Sequence, residues 1–166
     1  MFHVILWQPE IPPNTGNIIR LCANTGASLA LVGPLGFALD EPRLRRAGLD
    51  YREFASVREF SDLGHCLDEL GRPPTWAFSS RAERRFDEAR FQPGDALLFG
   101  PETRGLPKAV LNGVQPQHRL RLPMLAGNRS LNLSNAVAVA VFEAWRQNDF
   151  AGADWTGISP RRQIPT

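Results

Sequence analysis

A chain of 166 residues, 43% hydrophobic and 22% charged, suits one globular domain with a real core and leaves no room for a large multidomain machine. Nineteen basic residues against seventeen acidic ones leave a net charge of +2, too little for a global field that marks a polyanion partner. Cys22 and Cys66 fit no metal or disulfide pattern, no apolar stretch approaches a membrane span, and the first residues lack a signal-peptide pattern, so a cytoplasmic protein without a metal is expected.

In chain order, Phe2–Trp7 reads as a buried strand ended by Pro9, Pro12 and Pro13. Asn14 or Thr15 then opens a helix that runs to about Asn24 and stops at Gly26. Ser28–Val32 is a second buried strand. Asp40 is placed to cap a short helix through Ala47, and Arg52–Ala55 is a strand candidate. Ser56-Val-Arg-Glu59 has the capping-box pattern and predicts a helix to Leu70, stopped by Gly71. Thr75–Phe78, Asp95–Phe99 and His118–Leu122 are further strands, with a short helix at Pro107–Leu111. Asn132–Gln147 is the longest helix, and its apolar residues lie on nearly all sides, which predicts burial against the sheet on one face and against a partner subunit on another. The alternation predicts an α/β fold: a single domain over residues 1–150 with a mostly parallel sheet flanked by helices, followed by a flexible tail over 151–166.

Charge is unevenly spread. Residues 1–83 carry eight basic and ten acidic groups, whereas residues 84–166 carry eleven and seven. Eighteen of the nineteen basic residues are arginine, Lys108 being the exception. A GC-rich genome produces such a bias, and so does a need for guanidinium forks on phosphate or carboxylate; composition leaves both open. Local clusters are Arg43, Arg45 and Arg46; Arg81, Arg84, Arg85 and Arg90; and Arg161 and Arg162.

Three loops carry the chemistry. In Pro13-Asn-Thr-Gly-Asn-Ile-Ile-Arg20, helical spacing aligns Asn17, Arg20 and Asn24 in one polar stripe able to hold a phosphate or a ribose hydroxyl, or simply to face water. In Leu97-Leu-Phe-Gly-Pro-Glu-Thr-Arg-Gly-Leu-Pro107, a strand enters a loop whose Gly100 and Gly105 permit close backbone approach. Such loops bind ligands at the C-terminal edge of parallel sheets, although Glu102 and Arg104 could merely pair with each other. Neither the dinucleotide fingerprint nor the P-loop spacing is present. In Leu122–Asn135, Ser130, Asn132, Ser134 and Asn135 gather hydroxyls and amides at a helix start, where one cap would suffice.

These segments resemble the three motifs of the knotted SPOUT methyltransferases. The best resemblance is to the branch that methylates the ribose 2′-hydroxyl of the wobble nucleotide, position 34, of tRNA. It rests on Ile11–Gly26, on Phe99-Gly-Pro-Glu-Thr-Arg-Gly-Leu-Pro107, on Arg129-Ser-Leu-Asn-Leu-Ser-Asn-Ala-Val137, and on Arg45-Arg46-Ala-Gly-Leu-Asp50. The resemblance implies a deep trefoil knot in the C-terminal half and S-adenosylmethionine as cofactor, held by Phe78, Gly100, Gly105, Leu122, Met124, Ser130 and Leu131. It implies Arg20, Glu102 and Asn135 as catalytic residues, Glu102 and Asn135 as orienting groups and Glu102 also as a proton acceptor through water. Asn17, Arg43, Arg45, Arg46 and Arg129 are the implied contacts to the substrate RNA. The partners implied are the anticodon arm of tRNA, leucine tRNAs among them, and a second copy of the chain in a homodimer. Methylation of another tRNA position or of ribosomal RNA, and RNA binding without catalysis, are the alternatives.

Overall fold

The structure, a computed structural model, describes residues 1–37, 57–128 and 130–156. Seven strands among them form one sheet: β1 (His3–Trp7), β2 (Ser28–Val32), β3 (Val57–Phe60), β4 (Thr75–Phe78), β5 (Arg84–Arg85), β6 (Ala96–Phe99) and β7 (Arg119–Arg121). Their order is β3-β2-β1-β6-β4-β7-β5, and each neighbouring pair is parallel. The chain moves outward from β1 to β3 and then crosses to the other side, where β6 slots between β1 and β4, and β7 between β4 and β5. Among the described residues four helices, α1 (Pro12–Thr25), α2 (Leu63–Glu69), α3 (Lys108–Asn112) and α4 (Leu133–Gln147), flank the sheet, with 3-10 turns at Phe86–Glu88 and Pro116–His118.

The alternation of side chains along the strands divides the core in two. Val4 and Leu6 of β1 and Leu97 and Phe99 of β6 face α1 and α4, meeting Ile18, Ile19, Val137 and Val141. Ile5, Ala96 and Leu98 face the other way, toward Cys66 of α2 and Leu111 of α3. A sheet covered on both faces explains why its central strands read as unbroken apolar runs. Each such Leu, Ile or Val contributes about 1.5–3 kcal/mol by leaving water.

Two expectations change. Helix α1 starts at Pro12, not at Asn14 or Thr15, because prolines are tolerated in a first turn whose N–H groups have no partner anyway; Gly26, at φ 72°, ends it. The expected helix from Ser56 to Leu70 is instead β3 followed by α2, whose start is capped by Asp62 accepting from His65 N at 2.8 Å. Val57–Phe60 pairs with β2, from Leu29↔Val57 to Val32↔Phe60, and that pairing outweighs the local capping pattern. The two-residue strand β5, Arg84–Arg85, is too short and polar to show an alternation in the sequence. The expected helix over Asp40–Ala47 and strand over Arg52–Ala55 lie outside the described residues.

On α4, Leu133, Val137, Ala140, Val141 and Ala144 are buried, while Val139 and Phe142 are 42% and 47% exposed on the outer side. Beyond it, residues 151–156 turn back on the helix end: Trp145 Nε1 donates to Ala151 O, and Trp155 packs on Phe150. Among the described residues, no helix is long and apolar enough to cross a membrane.

Candidate functional site

Strands β6, β4 and β7 lie side by side, and the segments that leave their C-terminal ends enclose a cavity of about 430 Å³. A doubly covered parallel sheet places its ligand site at this edge. The volume falls in the range of roughly 300–1,000 Å³ that buries a drug-sized ligand. Phe78 ends β4 and Phe99 ends β6; their rings stack 4.7 Å apart at 12° in the cavity wall. The loop Gly100–Leu106 forms one rim, Leu122 and Met124 follow β7, and Ser130, Leu131, Leu133 and Ala136 approach from the start of α4. All seven residues expected to hold a cofactor therefore surround one space.

Glycine shapes the rim. A Cβ on Gly100 would stand 2.3 Å from Leu106 N and 2.4 Å from Gly105 C, so the loop folds back to within contact of its own start. Gly105 adopts φ +65° with open space around its missing side chain, and its N–H donates to Pro101 O at 2.9 Å. The first glycine is required by contact, the second by conformation alone.

The polar groups of the three loops hold one another. Glu102 does not pair with Arg104. Its carboxylate reaches the start of α1, where Oε2 accepts from Glu10 N at 2.8 Å and Oε1 accepts from Ile11 N at 3.2 Å and Asn14 Nδ2 at 3.0 Å. Asn14 Oδ1 in turn accepts from Asn132 Nδ2 at 2.9 Å. Asn132 Oδ1 caps α4 by accepting from Ser134 N and Oγ at 2.9 and 2.7 Å. Returning across the first gap, Glu10 Oε2 accepts from Thr103 N and Oγ1 at 3.2 and 2.7 Å. Arg104 donates to Gln8 Oε1 at 2.9 Å, with its guanidinium 6.0 Å from the centre of the Trp7 ring. Three of the roughly four acceptor positions on the Glu102 carboxylate are thus engaged, which suits an orienting group better than a proton acceptor.

Other expected residues lie elsewhere. Asn17 and Arg20 are exposed on α1, Asn135 is exposed in the first turn of α4, and none of the three lines the cavity of this single chain. Arg43, Arg45, Arg46 and Arg129 lie outside the described residues, as do Arg161 and Arg162. The Arg81–Arg90 cluster separates into distinct roles. Arg84 donates to Gln117 O and Glu88 O, both at 2.6 Å, and Arg85 pairs with Asp87, whereas Arg81 sits exposed on the cavity wall. Sequence reasoning overlooked Ser79, Ser80 and Thr103 in the wall, saw Arg81 only as part of a basic cluster, and missed the linking roles of Glu10, Asn14 and Asn132. Asn14 and Asn132 stood inside the quoted motifs, but their partner was not readable from spacing.

The cavity wall offers stacked aromatic rings, aliphatic side chains and backbone amides, a donor set suited to an adenine with a short polar chain. No group of three or more His, Cys, Asp or Glu side chains able to hold a metal occurs among the described residues. Burial pushes the Cys22 thiol up to about 12 and the Cys66 thiol to about 11, so both stay protonated and neither is a nucleophile at neutral pH.

Comparison with known proteins adds the family. Residues 1–142 match the SpoU rRNA methylase family. A tRNA (cytidine(34)-2′-O)-methyltransferase of Methylovorus glucosotrophus is 54% identical over 153 residues, covering 92% of this chain and 99% of that protein. A solved structure described as giving insight into 2-OH methylation of C/U34 on tRNA is 48% identical, with a TM-score of 0.82 over 90% of this chain and 97% of the other. A SpoU methyltransferase of Streptomyces viridochromogenes, solved with the cofactor AdoMet, shares the fold at 24% identity and a TM-score of 0.76, over 89% of this chain and 57% of that one.

Proposed function

The chain belongs to the SpoU methylase family, and from that premise we propose that it transfers a methyl group from S-adenosylmethionine to the ribose 2′-hydroxyl of nucleotide 34 of tRNA. The single observation that carries the reading is the cavity beyond β4, β6 and β7, around which all seven expected cofactor positions gather. Phe78, Leu122 and Met124 would enclose the adenine, and the backbone of Gly100–Gly105 would follow the rest of the molecule. S-adenosylmethionine, when bound, supplies the methyl group on an electrophilic sulfonium.

The chain then has to hold a hydroxyl in line with that methyl, and most of the rate comes from this positioning. Arg20 holds the neighbouring phosphate and stabilises the developing alkoxide. Its guanidinium carries only donors and has no lone pair with which to take the hydroxyl proton, which leaves to water. Glu102 keeps the Gly100–Gly105 loop against the start of α1, and Asn135 orients the ribose. Asn17, Arg43, Arg45, Arg46, Arg81 and Arg129 contact the phosphates of the anticodon arm.

Within the same reading, the C-terminal half forms a deep trefoil knot, the protein works in the cytoplasm, and two copies associate. The exposed Val139 and Phe142 on the outer side of α4 support the association. The dimer would bring Arg20 of one copy toward the cavity of its partner, in keeping with the absence of Arg20 from the cavity wall of a single chain. Leucine tRNAs are the expected substrates. The test is to incubate the purified protein with total tRNA and methyl-labelled S-adenosylmethionine and to map the modified nucleotide by mass spectrometry. Label on ribose 34 is expected; label elsewhere on tRNA, or on ribosomal RNA alone, overturns the reading.

A further inference from the structure

The rim of the cavity and the start of α1 exchange carboxylates. Glu102, from the rim, takes the N–H groups of Glu10 and Ile11, while Glu10, from the segment before α1, takes the backbone N–H and the hydroxyl of Thr103. Each carboxylate therefore closes on the backbone of the segment that carries the other, across more than ninety residues of sequence. Gly36 holds the same place from behind: its N–H donates to Pro9 O at 3.0 Å, and a Cβ there would lie 2.9 Å from Glu10 Cα. A single carboxylate would tether the two segments, but two reciprocal ones fix both distance and direction. Thr103 lines the cavity and Glu10 does not, so the clasp joins a wall residue to a residue behind the wall.

Helix α1 continues from the clasp for fourteen residues without a break, and Arg20 stands roughly 13 Å along it from Ile11. The unbroken helix is thus a rod able to carry a shift of the rim toward the guanidinium. We propose that Glu10 and Thr103 are positioning residues whose clasp couples occupancy of the cavity to the placement of Arg20. The inference rests on the methyl-transfer reading for its activity arm only.

The experiment uses the full chain and two probes. With S-adenosylhomocysteine as ligand, hydrogen exchange is followed at the amides of Asn14 and Thr15, which both donate to Ile11 O at the start of α1. Binding is expected to slow these amides several-fold in the wild type, and Glu10→Ala is expected to remove that slowing while the amides of Gly105 and Leu106 still respond. In single-turnover methylation of tRNA, Glu10→Ala and Thr103→Val should each lower the rate about tenfold with S-adenosylmethionine affinity held within about threefold, because a small misplacement costs rate rather than binding. Thr103→Ser, which keeps the hydroxyl, should restore the rate to within about threefold.

A parallel fall in cofactor affinity would make Thr103 a cofactor contact and sink the coupling. Unchanged exchange in Glu10→Ala would sink it as well, and so would a Thr103→Ser variant as slow as Thr103→Val. If the wild type fails to methylate nucleotide 34 while the exchange response appears and depends on Glu10, the methylation reading fails and the clasp stands.

Discussion

The rim of the cavity and the outer face of α1 belong to one proposed site and are built on opposite terms. At the rim, polar side chains face each other: Glu102 has three donors, Glu10 has two, Asn14 bridges Glu102 to Asn132, and Arg104 is held by Gln8. On the outer side, Asn17, Arg20 and Asn135 are exposed, and Arg81 stands at the cavity mouth with no hydrogen bond or ion pair from its guanidinium among the described residues. A rim whose groups are already satisfied is preorganised, so a small ligand meets a finished shape and little ordering cost remains. Exposed cations suit a long polyanion, which supplies many weak contacts and rewards charge more than shape.

The largest expected effect breaks the preorganised half. Gly100→Ala would set a Cβ 2.3 Å from the Leu106 backbone nitrogen, and no flexible side chain is there to give way. The loop would have to open, at a cost of about 3 kcal/mol, toward the upper end for point substitutions. Thermal melting should drop, and calorimetry should find no S-adenosylmethionine binding. Gly105→Ala meets no neighbour and suffers only from its positive φ, so about 1 kcal/mol is expected and binding should survive. Equal damage at both glycines would mean that conformation, not contact, shapes the rim.

Second in size is Arg20→Ala, which strikes the exposed half. Methylation should fall by about 10²–10³, as when one group that stabilises a developing anion is removed, while calorimetric affinity for S-adenosylmethionine stays within about twofold. Loss of cofactor binding in this variant would erase the division between a finished cradle and an open charged face. Arg20→Lys should recover little, because an ammonium cannot reproduce a planar fork.

A third test concerns Glu102, which joins the two halves. Glu102→Gln would present an amide where three donors converge, and the rate should fall about tenfold. The decisive measurement is the pH–rate profile. A positioning role lowers the whole curve without changing its shape, whereas a proton acceptor takes the acid limb with it.

What could be read in advance follows from the range of the interactions. Ser28–Val32 and Thr75–Phe78 were legible because a strand buried on both faces must be apolar at each of its buried positions, which here are all but the first, and α4 because its apolar stripe runs four turns. Val57–Phe60 was misread since only Phe60 of the four is buried and the segment lies at the sheet edge, where pairing with β2 decides its form. The cofactor positions were legible through resemblance, and glycine marked the loop. The partners of Glu102 were not, because carboxylate and donors stand 88 to 92 residues apart and only the sheet brings them together.

The smallest expected effect sharpens the charged half. Arg81 and Arg85 are four residues apart and both exposed, so a purely electrostatic view predicts equal contributions to tRNA binding. Their surroundings differ. Arg85 is bound to Asp87, Nη2 to Oδ2 at 2.5 Å, and that partner raises its pKa while cancelling most of its field. Among the described residues Arg81 has no such partner, and it borders the cavity where the target ribose would enter. Arg81→Ala should weaken tRNA binding about threefold to tenfold and lower the slope of log affinity against log salt by about 0.7, the release expected for one phosphate contact on a single strand. Arg85→Ala should change affinity less than twofold and leave the slope alone, since an ion-paired guanidinium condenses little extra phosphate. The reverse result would route the RNA past the Phe86–Glu88 turn instead of the cavity mouth, and Arg81 at the mouth would then have to be explained by the cofactor.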